Sequence, residues 1–218
     1  MTVLVVAKAP EPGRAKTRLA ATLGDQLAAE IAAAALLDTL DAVAAAPVAA
    51  RVVALTGDLN AAARAADIRR RLESFTVIGQ RGEDFGERLA NAHADAGSVS
   101  VGHPVLQIGM DTPQVTGELL ASCAGRLLRT QAVLGPARDG GWWVLGLQEP
   151  RTAECLRHVP MSRPDTGTLT WRALQDSGLE VTPVETLTDF DVVDDVAAVR
   201  AACDPASRFA RITDAAGL

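Results

Sequence analysis

Four cationic side chains cluster in the loop that follows the first predicted strand, within the stretch AKAPEPGRAKTRL. They are Lys8, Arg14, Lys16 and Arg18. Gly13 helps to set the path of this loop, and a helix-forming stretch begins near Thr17. Backbone N–H groups, cations and a helix dipole together favour a bound anion. The loop therefore predicts a phosphate site, and the six residues Lys8, Gly13, Arg14, Lys16, Thr17 and Arg18 are its candidate nucleotide-binding residues.

The loop matches neither of the common phosphate fingerprints. Residues 13–17 read GRAKT, which lacks the GxxxxGK[ST] spacing, and no GxGxxG is present. The alternative interpretation is a solvated basic turn that caps the sheet. Four cations in one loop of a chain with net charge −6 favour the phosphate interpretation.

Carboxylates at two further strand ends would supply a metal site. Asp111 directly follows the buried run of residues 105–108, and Asp189 and Asp191 precede a helix predicted over Val196–Cys203. Mg²⁺ near phosphate takes one or two carboxylates, with water and substrate oxygens completing its shell. We expect Asp111 and Asp191 to hold Mg²⁺ or Mn²⁺, with Asp189 as the alternative second ligand. The competing interpretations are a local turn aspartate and a solvated acidic run.

Two other segments are candidates for substrate contact. The turn Asp139-Gly140-Gly141 permits a close backbone approach to a ligand, and Trp142 behind it can stack on a sugar or pack in the core. A helix predicted to begin at Asp84 carries Arg88, a candidate nucleotide contact, and Asn91, a candidate substrate contact. An ordinary capped surface helix, with Asp84 as N-cap and Glu87 three residues on, explains this second segment nearly as well.

The elements that would position these residues alternate along the chain. Short apolar runs predict strands over Thr2–Ala7, Arg51–Leu55, Phe75–Ile78, Pro104–Ile108, Ala132–Gly135 and Trp142–Leu147. Helical patterns lie between them, over Asp25 to about Ala46, Asn60–Leu72, Asp84–Ala96, Thr116–Arg129 and Asp165–Ser177. This alternation predicts a single α/β domain over residues 1–218, with a doubly wound, mostly parallel sheet flanked by helices. Ligands of such sheets bind outside the carboxyl ends of the strands, where the candidate residues lie.

Composition excludes several other classes of protein. A net charge of −6, without an extended basic face, argues against general nucleic-acid binding. No apolar run reaches the length of a membrane span, and Met1 leads directly into a strand rather than a signal peptide. The cysteines fit neither a zinc motif nor a disulfide framework; they are Cys123, Cys155 and Cys203. We therefore expect a cytoplasmic protein.

Five segments, in their order along the chain, resemble a GT-A-like family of bacterial candidate glycosyltransferases, formerly called domain of unknown function 2064. They are AKAPEPGRAKTRL at 7–19, GEDFGERLANA at 82–92, IGMDTP at 108–113, GPARDGGWWVLGL at 135–147 and DFDVVDD at 189–195. The relatives of that family include small guanylyltransferases. The resemblance implies a nucleotide-diphospho-sugar transferase fold with a divalent metal. It also implies that Asp111 is the central metal-site acid and Asp191 the acid before the last helix.

Three functions remain open at this point. The preferred one is a metal-dependent nucleotidyltransferase that moves a nucleoside monophosphate to a small phosphate or carboxylate acceptor, with Lys16, Asp111 and Asp191 as its catalytic residues. Four cations suit a triphosphate better than a nucleotide sugar, and such chemistry needs charge stabilisation more than a protein nucleophile. The alternatives are a glycosyltransferase with a nucleotide-sugar donor and a nucleotide-binding module without turnover. The expected partners are a nucleotide and a small-molecule acceptor.

Overall fold

One seven-stranded sheet forms the centre of the protein in a computed structural model that describes residues 1–99 and 102–218. Its strands are β1 (Thr2–Lys8), β2 (Ala50–Thr56), β3 (Thr76–Gly79), β4 (Val105–Ile108), β5 (Ala132–Pro136), β6 (Trp142–Leu147) and β7 (Val181–Pro183). Their order across the sheet is β3-β2-β1-β4-β6-β5-β7. β6 runs antiparallel to β4 and β5, and the other neighbouring pairs are parallel.

Helices connect the strands and cover both faces of the sheet. They are α1 (Thr17–Leu23), α2 (Asp25–Ala45), α3 (Ala65–Leu72), α4 (Phe85–Val99), α5 (Gly117–Leu127), α6 (Thr166–Asp176), α7 (Val193–Ala202) and α8 (Arg208–Ala215). A 3₁₀ helix over Pro150–His158 packs on α4. No helix within the described residues has the length and apolar character that a membrane crossing requires.

The apolar run of β1 is buried on both faces, which explains its central place in the sheet. Val3 and Val5 pack with Leu36 and Leu40 of α2 in one core cluster. Leu4 lies on the opposite face, in a second cluster with residues of α4, α6 and the 3₁₀ helix. Side chains alternate across a strand, so a continuous apolar run is the pattern of a strand covered by helices on both sides.

The structure confirms the α/β fold with a mostly parallel sheet and shifts several element boundaries. The helix predicted from Asn60 begins at Ala65, because the preceding residue Arg64 has left-handed backbone angles, with φ of 54°, that an α-helix cannot contain. The last predicted helix begins at Val193 rather than Val196, since the Asp195 carboxylate accepts from the Val192 N–H at 3.0 Å. The prediction missed three elements: the strand β7, the helix α8 and the 3₁₀ helix.

The sheet order brings two loops together at the centre of one edge. β1 pairs in parallel with β2 on one side and with β4 on the other. The loops that leave β1 and β4 therefore start side by side at the carboxyl ends of these strands, and they carry the predicted basic loop and Asp111. A reversal of this kind in strand order is where open α/β sheets bind ligands.

Candidate functional site

A buried glutamate fixes the basic loop after β1. Glu11 is 6% exposed, and its Oε1 accepts from the Asp58 N–H at 3.0 Å, which ties this loop to the one after β2. The Glu11 carbonyl accepts from the N–H groups of Arg14 and Ala15. Gly13 supplies a left-handed turn with φ of +74° that residues with a Cβ rarely adopt. The loop is therefore held by its own backbone and can present its cations in fixed directions.

Lys16 lies at the centre of the site in an unusual conformation. It precedes α1 with φ of 48° and ψ of 49°, a left-handed conformation that costs energy in a non-glycine residue. Its side chain is only 9% exposed. The ammonium donates to the Phe190 carbonyl and lies 4.3 Å from the centroid of the Phe190 ring. Strain of this kind persists only where the surroundings determine it, and here the surroundings are polar and acidic.

The two predicted metal-site carboxylates both lie beside this ammonium. Lys16 Nζ is 3.0 Å from Asp111 Oδ2 and 3.9 Å from Asp191 Oδ1. Arg18 adds a contact of 2.8 Å to the other oxygen of Asp191. Asp111 and Asp191 remain 44% and 41% exposed, so solvent or a ligand can reach both. The structure thus brings together Lys16, Arg18, Asp111 and Asp191.

Backbone contacts set the spacing of these two acids. The Phe190 N–H donates to the Asp111 carbonyl at 3.2 Å, which holds the segment before α7 against the loop after β4. The Asp195 carboxylate accepts from the Asp191 N–H at 3.0 Å. The Phe190 ring packs on Phe209 of α8 with centroids 4.8 Å apart, within a core cluster shared by α1, α2, α7 and α8. Both acids are therefore anchored through main chain, and their carboxylates point to the cations of the basic loop.

Asp189 lies half-buried beside the same site. Burial raises the pKa of Asp189 to about 6, and the nearby carboxylates of Asp139 and Asp111 add to this rise while Lys16 opposes it. A carboxyl group with such a pKa exchanges its proton close to neutral pH. Asp191 contacts both Lys16 and Arg18. Asp189 instead faces the turn that contains Asp139.

The Asp139-Gly140-Gly141 turn borders the site on the other side. The Asp139 carboxylate accepts from the Gly141 N–H at 2.7 Å. Gly140 has φ of +92°, and a Cβ there would lie 1.9 Å from the carbonyl oxygen of Pro164. The Arg138 N–H donates to the Leu187 carbonyl, so the turn lies next to the segment that leads to Asp189. Only glycine fits this close approach.

A cavity of about 340 Å³ opens on the α6 side of this turn. Gly140 and Gly141 line it, together with Pro164, Trp171 and Arg172. The predicted stacking residue Trp142 does not line it and packs, half-buried, against the core cluster of Leu134 and Leu145. An aromatic ring on this side of the turn therefore comes from α6, which the sequence pattern did not indicate.

The predicted residues of α4 contact groups other than the acidic pair. Asn91 of α4 has both ends of its amide engaged, one donating to the Arg81 carbonyl and one accepting from Arg157. Arg88 lies 5.8 Å from the exposed ring of Phe85. Asp84 caps α4 as predicted, because its carboxylate accepts from the Glu87 N–H at 2.8 Å. The contacts of Asn91 are those of a structural residue that ties α4 to the 3₁₀ helix.

The outer part of the basic loop is open to solvent. The Arg14 side chain is 75% exposed, and its ion pair with Glu11 is long at 3.8 Å. Lys8 is exposed and donates to the Arg14 carbonyl at 2.6 Å. Thr17 is exposed at the first position of α1. Arg14 is therefore the loop cation with the most freedom to meet an incoming anion.

The donor set of Asp111 and Asp191 suits a hard divalent cation. Both offer carboxylate oxygens, which Mg²⁺ and Mn²⁺ prefer, and two carboxylates are the number that a phosphate-bound Mg²⁺ commonly takes from protein. Within residues 1–99 and 102–218, no group of three or more His, Cys, Asp or Glu side chains is placed to bind a metal. The pair therefore fits a metal whose shell is completed by water and phosphate oxygens.

The sequence analysis did not identify two buried residues that hold the site in place, Phe190 and Glu11. Phe190 contacts Lys16 through both its ring and its carbonyl, and Glu11 anchors the loop. A signal for Phe190 exists in the sequence, because it is an apolar residue between Asp189 and Asp191. Such a residue in an acidic run predicts that one side of the run is buried.

The sheet order and the helices on both faces define an α/β protein with a fold of the nucleotide-diphospho-sugar transferase type. Residues 39–163 match the family described as uncharacterized proteins conserved in bacteria, DUF2064. The match spans more than half of the chain, and the chain belongs to the DUF2064 family. It includes Asp111 and the Asp139-Gly140-Gly141 turn, whereas Lys16 and Asp191 lie outside it. No curated protein matches the chain.

Solved structures of similar fold cover nearly the whole chain. One, from Desulfovibrio desulfuricans G20, is described as a candidate nucleotide-diphospho-sugar transferase. It has a TM-score of 0.83 at 24% identity, over 98% of this chain and 93% of that one. A nucleotidyl transferase from Methanothermobacter thermautotroptrophicus has a TM-score of 0.56 at 19% identity, over 97% of this chain and 98% of its own.

A third solved structure contains a metal. It is the Rv0371c protein of Mycobacterium tuberculosis H37Rv in complex with manganese, with a TM-score of 0.55 at 18% identity, over 91% of this chain and 97% of its own. At these identities the three similarities establish the fold of this chain. Its reaction has to be argued from its own residues.

Proposed function

We propose that the chain is a divalent-metal-dependent nucleotidyltransferase. It would transfer a nucleoside monophosphate from a nucleoside triphosphate to a small phosphate or carboxylate acceptor, and it would release pyrophosphate. The observation that carries the proposal is the convergence of Lys16, Asp111 and Asp191 at the carboxyl ends of β1 and β4, with Arg18 in contact with Asp191. The fold shared with a nucleotidyl transferase and with a manganese-bound protein supports it.

Each group has a defined part in such a reaction. Asp111 and Asp191 would hold Mg²⁺ or Mn²⁺, which when bound neutralises charge on phosphate oxygens. Arg14, Arg18 and the loop backbone would bind the triphosphate and position it. An acceptor oxygen forms a bond to the α-phosphorus while the bond to the bridging oxygen breaks, and pyrophosphate leaves with that electron pair. This chemistry requires positioning and charge stabilisation rather than a protein nucleophile.

The acceptor would approach from the Asp139-Gly140-Gly141 side. That turn borders Asp189, whose pKa of about 6 allows it to take a proton from an acceptor hydroxyl group near neutral pH. A phosphate or carboxylate acceptor is already ionised at that pH and needs no such base. Asp189 would therefore act as a base only with a hydroxyl acceptor, and it has no proton to take from the phosphate or carboxylate acceptor of the proposed reaction.

Glycosyl transfer is the second candidate function. The observation that favours it is the similarity to the Desulfovibrio desulfuricans protein, which has the highest TM-score of the three structures. The same carboxylate pair would then serve a departing nucleoside diphosphate. The charge of the loop favours the first reaction, because Lys8, Arg14, Lys16 and Arg18 match the higher charge of a triphosphate.

Exchange of labelled pyrophosphate into nucleoside triphosphates separates the two reactions. The assay would supply Mg²⁺, each of the four triphosphates, and cell extract or candidate small acids as acceptor. We expect exchange with one triphosphate. Release of a nucleoside diphosphate from a nucleotide sugar, with no pyrophosphate exchange under any condition, would establish glycosyl transfer instead.

Replacement of Asp111 tests the metal site within the same assay. Asp111→Asn keeps the size of the side chain but removes the negative charge that balances the metal, so metal-dependent nucleotide binding should be lost while the fold is kept. Asp176→Asn, an exposed change at the end of α6, is the matched control and should bind nucleotide as the wild type does. Unchanged Mg²⁺-dependent affinity in a folded Asp111→Asn protein would exclude Asp111 as a ligand.

A further inference from the structure

Lys16 occupies the space between the two carboxylates that the proposed function assigns to a metal. Its ammonium contacts Asp111 and Asp191 and donates to the Phe190 carbonyl, and the side chain is almost fully buried. Of the three N–H donors of the ammonium, one is taken by the Phe190 carbonyl and one can face Asp111 at 3.0 Å, while Asp191 at 3.9 Å is an ion pair beyond hydrogen-bond distance. The charge of Lys16 is therefore directed at the two carboxylates in this arrangement rather than at an incoming phosphate group.

We infer that Lys16 is a built-in counter-ion of the metal-free site, which a divalent metal displaces and thereby releases for the triphosphate. This inference rests on the proposed function, because it takes the Asp111–Asp191 pair as the metal site. Without metal, the Lys16 ammonium compensates two carboxylates that would otherwise repel each other. When a divalent cation takes the carboxylate oxygens, the ammonium loses these partners and its charge becomes available to an anion.

The backbone at Lys16 directs its side chain toward the acidic pair. Lys16 has left-handed φ and ψ angles and ends the basic loop, so its side chain reaches the acidic pair only because the loop bends there. The neighbouring cations Arg14 and Arg18 are more exposed than Lys16 and make fewer contacts with the acids. Arg14 is exposed with one long ion pair, and Arg18 is exposed while it contacts only Asp191 among the site acids. Lys16 is thus the loop cation whose contacts to both acids conflict with a bound metal.

The first consequence concerns the affinity for metal in the absence of nucleotide. Lys16→Met removes the competing charge and keeps the length of the side chain. We expect it to bind Mn²⁺ at least tenfold more tightly than the wild type, since an incoming metal no longer has to break charge-assisted contacts. Arg18→Met removes one exposed contact and should tighten Mn²⁺ binding by about threefold. Arg14→Met also removes one positive charge, but at a greater distance from the acids, so it should change the Mn²⁺ affinity by less than about twofold.

The second consequence concerns the triphosphate. In EDTA, Lys16 stays on the carboxylates, so Lys16→Met should weaken triphosphate binding by less than about threefold. With Mn²⁺ present, the released ammonium can bind phosphate, and the same variant should lose at least tenfold in affinity. A loss of affinity that appears only with metal is not expected from a merely structural role of Lys16.

Both consequences can be measured on the intact chain. Electron paramagnetic resonance of free Mn²⁺ reports metal binding, and calorimetry with each of the four nucleoside triphosphates, in EDTA and in Mn²⁺, reports nucleotide binding. Circular dichroism verifies that the variants are folded, and Arg18→Met supplies a milder change of the same sign. The expected result is tighter Mn²⁺ binding by Lys16→Met together with a metal-dependent loss of triphosphate affinity.

Different outcomes separate this inference from the proposed function. If Asp111→Asn abolishes Mn²⁺ binding while Lys16→Met binds Mn²⁺ no better than the wild type, the counter-ion role is wrong and the metal site stands. A triphosphate loss of equal size in EDTA and in Mn²⁺ would also overturn the counter-ion role. If neither the wild type nor Lys16→Met binds Mn²⁺, with or without a triphosphate, the proposed metal site itself is wrong and the inference falls with it.

Discussion

Two groups with opposite pKa shifts should govern how the stability of the metal-free protein depends on pH. His93 of α4 is fully buried, its Nδ1 lies 3.0 Å from the Gln107 side-chain oxygen, and burial lowers its pKa from 6.5 to about 4. Asp189 shifts the other way, because burial and the Asp139 carboxylate raise its pKa from 3.8 to about 6. The two shifts act over nearly the same pH range.

The His93 shift destabilises the protein in acid. Above pH 6.5, His93 is neutral in both the folded and the unfolded state, and pH has no effect through it. Between pH 6.5 and 4 the unfolded chain binds a proton that the folded chain does not, so the free energy of unfolding falls as the pH is lowered. At about 1.4 kcal/mol per unit of pKa, the total loss is about 3 kcal/mol.

The Asp189 shift opposes this loss. Between pH 6 and 4 the folded protein holds a proton on Asp189 that the unfolded chain has released, so the free energy of unfolding rises as the pH is lowered. Asp189 is partly exposed, and solvent screening reduces its contribution to about 1–2 kcal/mol. The wild type should therefore lose only part of the His93 contribution between pH 6.5 and 4.

Urea unfolding between pH 7 and 4.5 in EDTA measures both contributions through variants. Asp189→Asn should show the full His93 slope, with a loss larger than that of the wild type by about 1–2 kcal/mol. His93→Gln should remove that slope and leave the Asp189 effect, so its stability should hold or rise in acid relative to the wild type. His158→Gln changes an exposed histidine and should follow the wild type. If Asp189→Asn and the wild type lose stability in parallel as the pH is lowered, the raised Asp189 pKa is wrong. If the free energy of unfolding of His93→Gln falls with pH as steeply as that of the wild type, the lowered His93 pKa is wrong.

Two further predictions concern the packing around the site, both measured by urea unfolding at pH 7. Gly140→Ala should lower the free energy of unfolding by about 3 kcal/mol or more, because the new Cβ would meet the Pro164 carbonyl at 1.9 Å. Gly178→Ala, with left-handed φ but open space around it, should cost only about 1 kcal/mol; equal costs would show that the turn is not packed on Pro164. Trp143→Phe should cost about 1–3 kcal/mol, since the Glu185 carbonyl loses the indole N–H that lies 2.7 Å away; an unchanged stability would show that this bond contributes nothing.

The parts of the fold that were predictable are those with a strong local pattern. The uninterrupted apolar run of β1 and the alanine-rich stretch of α2 each indicate their structure without tertiary information. The helix predicted over Thr116–Arg129 also forms, as α5, and the Thr116 side chain caps it by accepting from the Leu119 N–H. The strand β7 has only three residues at an edge of the sheet and includes a proline, so its pairing depends on β5 rather than on its own propensity.

The site was predictable as a set of residue types and less so as an arrangement. The basic loop and the acids after β4 and before α7 follow from strand ends, because the carboxyl ends of parallel strands face one edge. The sequence could not reveal that the Asn91 side-chain oxygen accepts a hydrogen bond from Arg157, since that contact spans 66 residues. Nor could it reveal that the Lys16 ammonium faces acids instead of solvent, since this depends on a left-handed backbone conformation at one residue.

The distance along the chain between the two halves of the site has a consequence for its assembly. Lys16 and Phe190 are 174 residues apart, and Arg18 and Asp191 are 173 residues apart. During synthesis, β1 and the basic loop emerge long before the acids that complete the site, and local folding cannot form these contacts. Nucleotide binding would therefore appear late on the ribosome, after the central strands are already paired. An immature chain would expose a basic loop that Asp111 neutralises once β4 has paired with β1, and that Asp191 neutralises only after the last part of the chain is made.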